Sequence, residues 1–382
     1  MHICFITHEY PKKNFPHGGI GTFIQTIGKA YVAKGCKVSV VGINVYTKVY
    51  EEEDDHGVHI YRLKPRKIKG LTWFLNYKHI NQQLLKLHVE SPIDVIETPE
   101  LGLVFLKKIK PIKYIIRLHG GHHFFAEAEE RDIDRWKGFQ EKRSFKKADA
   151  FVAVSNYVKT HTSKYLSYNN KKISVIKSPI DLDVFKPIPE IKVSDDTILF
   201  AGTICEKKGI KQLILAMKTV NASYPNLKLD IYGRDWFFKD GTSYVEYLKE
   251  KIIPELKEFS KNIIFKGPVP YIELATKYAA ARICVFPSLM ETQGLVAPEA
   301  MAMKKVVVFS NLGPGPETIE HKKTGLLCNP YDVNNIAENI LWALENPKKC
   351  LEIEGQANEF VYQAFNTGSI VNKNIDFYKS IL

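Results

Sequence analysis

HICFIT (His2–Thr7), GTFIQTIGKAYVAKG (Gly21–Gly35) and KVSVVGI (Lys37–Ile43) decide the fold. The first and third are short runs that are apolar on both faces, as strands covered on two sides are. The middle stretch places its apolar residues at helical spacing and ends at Gly35. Strand, helix, strand is a βαβ opening, and it predicts a parallel sheet covered by helices.

Outward from this opening the alternation continues. DVIET (Asp94–Thr98), KYIIRLHG (Lys113–Gly120), AFVAVS (Ala150–Ser155) and KISVIKS (Lys172–Ser178) read as further buried strands. Ser178–Asp196 then carries three prolines and mixed charge without helical periodicity, so it is a connection between domains. A second series follows: TILFAGT (Thr197–Thr203), a helix from Gly209 to about Asn221, KLDIYG (Lys228–Gly233), a helix around Tyr244 to Phe259, NIIFKG (Asn262–Gly267), ARICVFPS (Ala281–Ser288), KVVVFS (Lys305–Ser310) and GLLCNP (Gly325–Pro330). Two α/β domains imply a cleft, with ligands beyond the carboxyl ends of the strands.

Length and charge bound the function. The 382 residues exceed one comfortable core, and 45% hydrophobic content is that of a globular protein without repeats. A formal charge of +12 suggests an anionic partner: nucleic acid, an acidic membrane surface or a phosphorylated small molecule. The basic clusters KPRKIKG (Lys64–Gly70) and KKIKPIK (Lys107–Lys113) are short and broken by apolar residues, and serve equally as a solvated face. They form no concentrated stripe or recognition module, so nucleic acid is not the expected partner. Six scattered cysteines fit reduced thiols. No signal peptide and no apolar run near the roughly 18 residues of a membrane span is evident, so the expectation is cytoplasmic, with peripheral contact at the inner face of a membrane left open.

Four stretches carry candidate chemistry. In HEYPKKNFPHGGIGTF, Gly18 and Gly19 let backbone approach a ligand ahead of a helix start, although the spacing fails the dinucleotide pattern and a plain glycine turn fits as well. RLHGGHHFF puts His119 at the end of a strand, with His122 and His123 behind it; no carboxylate or cysteine spacing accompanies them, so metal is not expected and a structural loop is the alternative. In AGTICEKKGI, Lys208 can hold a phosphate as a point charge. In PSLMETQGLVAPEAMA (Pro287–Ala302), Glu291 and Glu299 flank a turn whose amides around Gly294, Leu295 and Val296 suit a phosphate. Carboxylates there accept from hydroxyls, as a nucleotide-sugar would offer, while a helix carrying Glu299 in its first turn needs no ligand.

ETQGLVAPE resembles the E-x7-E motif of retaining glycosyltransferases of the GT-B fold, in particular glycosyltransferase family 4. YVAKGCKVSVVG, LHG after a strand, VIKSPIDLDVF, FAGTICEKKGIKQLILAM, GPVPYIELATKYAAARICVFPS and GPETIEHKKTGLLCNPYD extend the resemblance over nearly the whole chain in order. The resemblance implies two Rossmann-like domains facing each other across a deep cleft: 1–183 for the acceptor, 184–362 for the donor, and a helix in 363–382 returning to the first. It implies that Glu299 holds the ribose and Glu291 faces the donor sugar. Lys208 with the amides of Gly294, Leu295 and Val296 would bind the diphosphate, Val269 would meet the nucleobase, and His119 would stand near the reacting sugar. Gly18 and Gly19 would pack against donor phosphate or acceptor. The donor is expected to be a UDP-sugar, with no cofactor or metal, and the acceptor a saccharide or lipid-linked saccharide of envelope or exopolysaccharide assembly.

Some positions depart from the pattern. Thr203 stands where the family commonly has an arginine, and Arg234 in YGRDW is a candidate substitute. GGIGT lacks the acid often found after the glycines. Trp73 and Phe74 lie in a basic, aromatic, partly helical segment suited either to an anionic membrane or to domain packing. A sugar-nucleotide epimerase of the same fold and a non-catalytic nucleotide or nucleic-acid binder are the rival readings.

Overall fold

The computed structural model describes residues 1–15, 18–128 and 131–382. Pro16 and His17, within the glycine loop expected to approach a ligand, lie outside the described residues. The chain divides into two compact units, Met1–Pro179 with Thr367–Leu382, and Ile180–Asn366.

In the first unit, β1 (His2–Ile6), β2 (Lys37–Ile43), β3 (Glu51–Asp55), β4 (Val58–Leu63), β5 (Val95–Thr98), β6 (Lys113–Leu118), β7 (Ala150–Ala153) and β8 (Lys172–Val175) form one sheet in the order β3-β4-β2-β1-β5-β6-β7-β8. β1 pairs in parallel with β2 and β5, placing Ile3 opposite Val38 and Val95. All five β1 residues are buried, as the unbroken apolar run predicts. Among the described residues only β3 runs antiparallel, closing a hairpin on β4 through His56 (φ 54°) and Gly57 (φ 86°). Positive φ at both turn residues matches the right-handed twist of the flanking strands. The edge strand reads EEEDD, and its charge discourages pairing with another chain.

The helix Thr367–Lys379 belongs to this unit and is held by a buried polar network. The Arg117 guanidinium donates twice to the Glu97 carboxylate, at 2.7 and 3.0 Å, and its Nη2 also donates to Asn374 Oδ1 at 2.5 Å. Tyr378 donates to Glu97 Oε2 at 2.5 Å. A buried ion pair is tolerated only when further hydrogen bonds satisfy it, and residues of the terminal helix provide them here.

In the second unit, β9 (Thr197–Ala201), β10 (Lys228–Tyr232), β11 (Ile263–Gly267), β12 (Ile283–Phe286), β13 (Val306–Ser310) and β14 (Leu326–Cys328) form a wholly parallel sheet in the order β11-β10-β9-β12-β13-β14. The units part at Pro179, slightly ahead of the expected 183, because Ile180 and Phe185 pack into the second core. The helix Pro347–Ala364 runs through the expected break at 362, and the units part again after Asn366.

The segment expected as one helix from Tyr244 to Phe259 is three pieces: a turn of α-helix at Tyr244–Tyr247, a π turn at Leu248–Ile252 and 3₁₀ turns over Ile253–Asn262. Pro254 explains the break, since proline lacks the N–H for an i−4 bond and its ring crowds the carbonyl one turn back. Lys257 (φ 53°) then redirects the chain. All six cysteines are free thiols. Among the described residues no helix is long and apolar enough to cross a membrane.

Candidate functional site

The second sheet reverses its winding between β9 and β12, which are neighbours although β10 and β11 come between them in sequence, β10 and β11 lying to one side and β13 and β14 to the other. At such a switch point adjacent loops leave in opposite directions and open a crevice at the carboxyl ends. The loop after β9 and the loop after β12 meet there backbone to backbone. A Cβ on Gly209 (φ 68°) would lie 1.8 Å from the Pro287 carbonyl oxygen, so only glycine fits. The Leu289 amide donates to the Lys207 carbonyl at 2.9 Å.

This stitching brings Lys208 onto Glu291. Their side chains form an ion pair, and Ser288 Oγ donates to the same Glu291 oxygen at 3.1 Å. The turn into the helix Val296–Ala302 passes through Gly294 (φ 73°), where a Cβ would lie 2.6 Å from the Phe309 ring. The amides of Leu295 and Val296 stand at that helix start, where no preceding turn supplies carbonyls.

Glu299 sits in the first turn of this helix and is 5% exposed. Its carboxyl oxygens accept only long hydrogen bonds, 3.4 Å each, from the hydroxyls of Tyr271 and Tyr278. Burial away from water raises its pKa to about 8, with the two tyrosine hydroxyls opposing that shift. The result is a buried acid with weak neutral donors. Tyr271 and Tyr278 lie two helical turns apart on the helix Tyr271–Ala280, so helical spacing is the signal that would have paired them in sequence.

Arg234 and Thr203 are also neighbours, because Ile204 and Asp235 bridge the loops after β9 and β10. Arg234 Nε lies 3.5 Å from Thr203 Oγ1, and the Arg234 side chain is exposed. Val269 follows β11, the edge strand, which is separated from β9 by β10.

The first unit carries the other candidates. Gly18 caps the helix Gly19–Ala33 in extended geometry, and a Cβ there would lie 2.4 Å from a Glu9 carboxylate oxygen. A Cβ on Gly19 would meet nothing within 4 Å. Glu9 thus places an acid beside a helix start whose own sequence has none after the glycines, a contact that no local spacing announces.

His119 follows β6, half-buried, with its ring edge-on to Phe23 at 5.4 Å. Burial, and then the Arg117 charge, lower its pKa to about 3, so the imidazole is neutral at physiological pH. Two buried acids fix the backbone that follows it. Glu100 Oε1 accepts from the Gly120 amide at 2.8 Å. Glu141 accepts from the His122 and His123 amides at 2.8 and 3.0 Å and pairs with His123 Nδ1. His122 accepts from the Asp134 amide at 3.0 Å through Nε2. His122 and His123 are therefore engaged in shaping the loop, the structural alternative open to them from sequence. Glu100 and Glu141 were not legible as site residues, because each lies on a different element from the loop it holds.

A family model described as glycosyl transferases group 1 matches residues 183–360, and one described as glycosyltransferase family 4 matches residues 17–184. An uncharacterized glycosyltransferase of Methanocaldococcus jannaschii is 26% identical, over 99% of this chain and 98% of its own length. Among solved structures, sucrose-phosphate synthase from Thermosynechococcus elongatus superposes with a TM-score of 0.86 at 22% identity, covering 100% of this chain and 98% of that one. Anabaena HepE in complex with UDP-glucose gives 0.78 at 19% identity, with both chains fully covered.

Proposed function

The chain belongs to the group 1 glycosyltransferases of family 4 and has their GT-B fold; from that premise we propose that it transfers a sugar, with retention of anomeric configuration, from a UDP-sugar to a saccharide or lipid-linked saccharide acceptor. The observation that carries this reading is the Lys208–Glu291 ion pair at the switch point, beside a helix start with Glu299 buried in its first turn. The UDP and UDP-glucose bound by HepE support uridine as the donor nucleoside.

In this reading the second unit holds the donor and the first the acceptor. Lys208 exchanges its bond to Glu291 for the donor diphosphate, joined by the amides of Gly294, Leu295 and Val296. Arg234 beside Thr203 adds a cation there, and the chain at Val269 meets the base. Glu291, released, accepts from hydroxyls of the sugar. Glu299 accepts from the two ribose hydroxyls, which are better donors than tyrosines at 3.4 Å.

The acceptor oxygen bonds to the anomeric carbon on the face from which the diphosphate departs. As the bond from that carbon to the phosphate oxygen breaks, the acceptor's proton passes to the leaving diphosphate, so no protein base is required. Fixed donors aimed at the developing charge lower the barrier. Lys208 and the helix amides supply them without a metal ion. His119, neutral, orients sugar or acceptor by hydrogen bonding, and Gly18 and Gly19 let the backbone at their helix start approach donor phosphate or acceptor.

Thermal unfolding with UDP, GDP, ADP and TDP tests the donor site. A ligand at about a hundred times its Kd adds roughly 2.7 kcal/mol. Stabilisation by UDP that Glu299→Ala removes supports the reading; no stabilisation by any nucleotide overturns it.

A further inference from the structure

The first unit exposes an aromatic surface that the donor site does not use. At the start of the helix Thr72–Glu90, Trp73 packs edge-on to Phe74 and meets Phe105 from the loop after β5 and Trp136 from the helix Arg135–Lys147, on which Phe139 stacks against Trp136. The Trp73 ring stands 4.2 Å from Phe105 and 6.5 Å from Trp136, so three separate elements converge. Yet Trp73, Phe74, Trp136 and Phe139 keep 41%, 51%, 50% and 52% of their surface in solvent. Single exposed aromatics are ordinary, but a contiguous cluster of this kind marks a surface that something else covers.

Charge indicates what covers it. The groove beside the cluster has a volume of about 750 Å³, and Lys78, Lys107, Arg143 and Lys147 line it without any carboxylate. A second groove along the same helix shares Lys78 and adds Lys64, Arg66 and Lys67, again without an acid. Tryptophan and phenylalanine flanked by lysine and arginine match the interface of a bilayer, where rings settle at headgroup depth and cations reach lipid phosphates. A protein partner would need acidic side chains around an apolar centre; a bilayer containing anionic lipid offers both as one continuous surface.

We propose that this aromatic and basic face of the first unit docks the protein on an anionic lipid bilayer. The surface is distinct from the nucleotide site, so the proposal stands whether or not the donor reading does. Its consequence for that reading is that an acceptor carried on a lipid would be presented from the membrane side.

The test is sedimentation of the full chain with vesicles of phosphatidylcholine, with and without phosphatidylglycerol, in the absence of nucleotide. Binding is expected only with phosphatidylglycerol and falls with salt. Trp73→Ser with Trp136→Ser removes two half-exposed rings and should release the protein. Lys78→Glu and Lys107→Glu, both at exposed positions, should each weaken binding about fivefold or more. Three results overturn the proposal: no vesicle binding; equal binding to neutral vesicles; or a wild-type dimer in solution that the tryptophan variants dissociate, which assigns the patch to a second copy. UDP stabilisation measured on the same variants should be unchanged, so loss of docking and loss of the donor site are read separately.

Discussion

Lys208 and Glu291, 83 positions apart in sequence, form an ion pair where the loops after β9 and β12 meet. The pair exists because Gly209 lets one loop touch the backbone of the other. In the proposed reaction each member has a different task. Lys208→Met is expected to weaken UDP binding and to lower turnover by about a hundredfold or more, as removal of a charge-stabilising donor does. Glu291→Gln is expected to lower kcat while leaving UDP affinity nearly intact. Steady-state kinetics with titration of UDP separates the two, and equal losses in both variants would contradict the division of roles.

The buried Glu299, with its pKa raised to about 8, holds a proton at neutral pH. Two ribose hydroxyls donating to it favour the charged form, so UDP binding at about pH 7 should release up to about one proton. Calorimetry in two buffers of different ionisation enthalpy measures this. Glu299→Gln should bind with no buffer dependence, and a wild-type enthalpy independent of buffer would remove Glu299 from the ribose.

Glu100 is likewise raised to about 8 by burial, with the charge of Glu141 adding to the shift. The folded state therefore binds its proton more tightly than the unfolded chain does, and the Glu100 contribution to stability falls as pH rises from about 4.5 to about 8. Glu100→Gln keeps an oxygen for the Gly120 amide and cannot ionise. Urea unfolding should show variant and wild type alike near pH 4, and the variant more stable near pH 8, by on the order of 1 kcal/mol for each pH unit of the window.

His119 has the opposite sign. Its pKa is lowered to about 3, so its contribution is present above about pH 6.5 and is lost as pH falls towards 3. His119→Gln should flatten the acid limb of the stability profile while leaving UDP stabilisation in place. An unchanged acid limb would show that the ring is not held neutral by its surroundings.

The glycines divide by the space around them. Gly209→Ala forces a Cβ into the Pro287 carbonyl at positive φ and should destabilise by about 2 kcal/mol or more while abolishing UDP binding. Gly19→Ala meets nothing within 4 Å inside a helix, and should be neutral or stabilising by a few tenths to about 1 kcal/mol. A drop in turnover for Gly19→Ala without loss of stability would mark that open space as ligand space.

The wholly parallel second sheet was legible because TILFA and VVVFS are apolar on both faces, and burial on both faces leaves few alternatives to a helix-covered sheet. The antiparallel β3–β4 hairpin was not, since EEEDD has neither apolar alternation nor high strand propensity and becomes a strand only by pairing with β4. Pro254 marks the break locally, since proline cannot continue the i−4 ladder, although the residues around it keep helical spacing.

By itself the sequence determined the alternation of strands and helices, the turn glycines, and the presence of Lys208, Glu291 and Glu299 next to strand ends, because periodicity and residue type act over a few positions. Tertiary structure alone decided that Lys208 meets Glu291, that Glu9 stands beside Gly18, that Glu100 and Glu141 hold the loop after His119, and that Trp73 and Trp136 share one face. Each of these joins separate elements, and their partners are set by strand order and helix packing rather than by any local spacing.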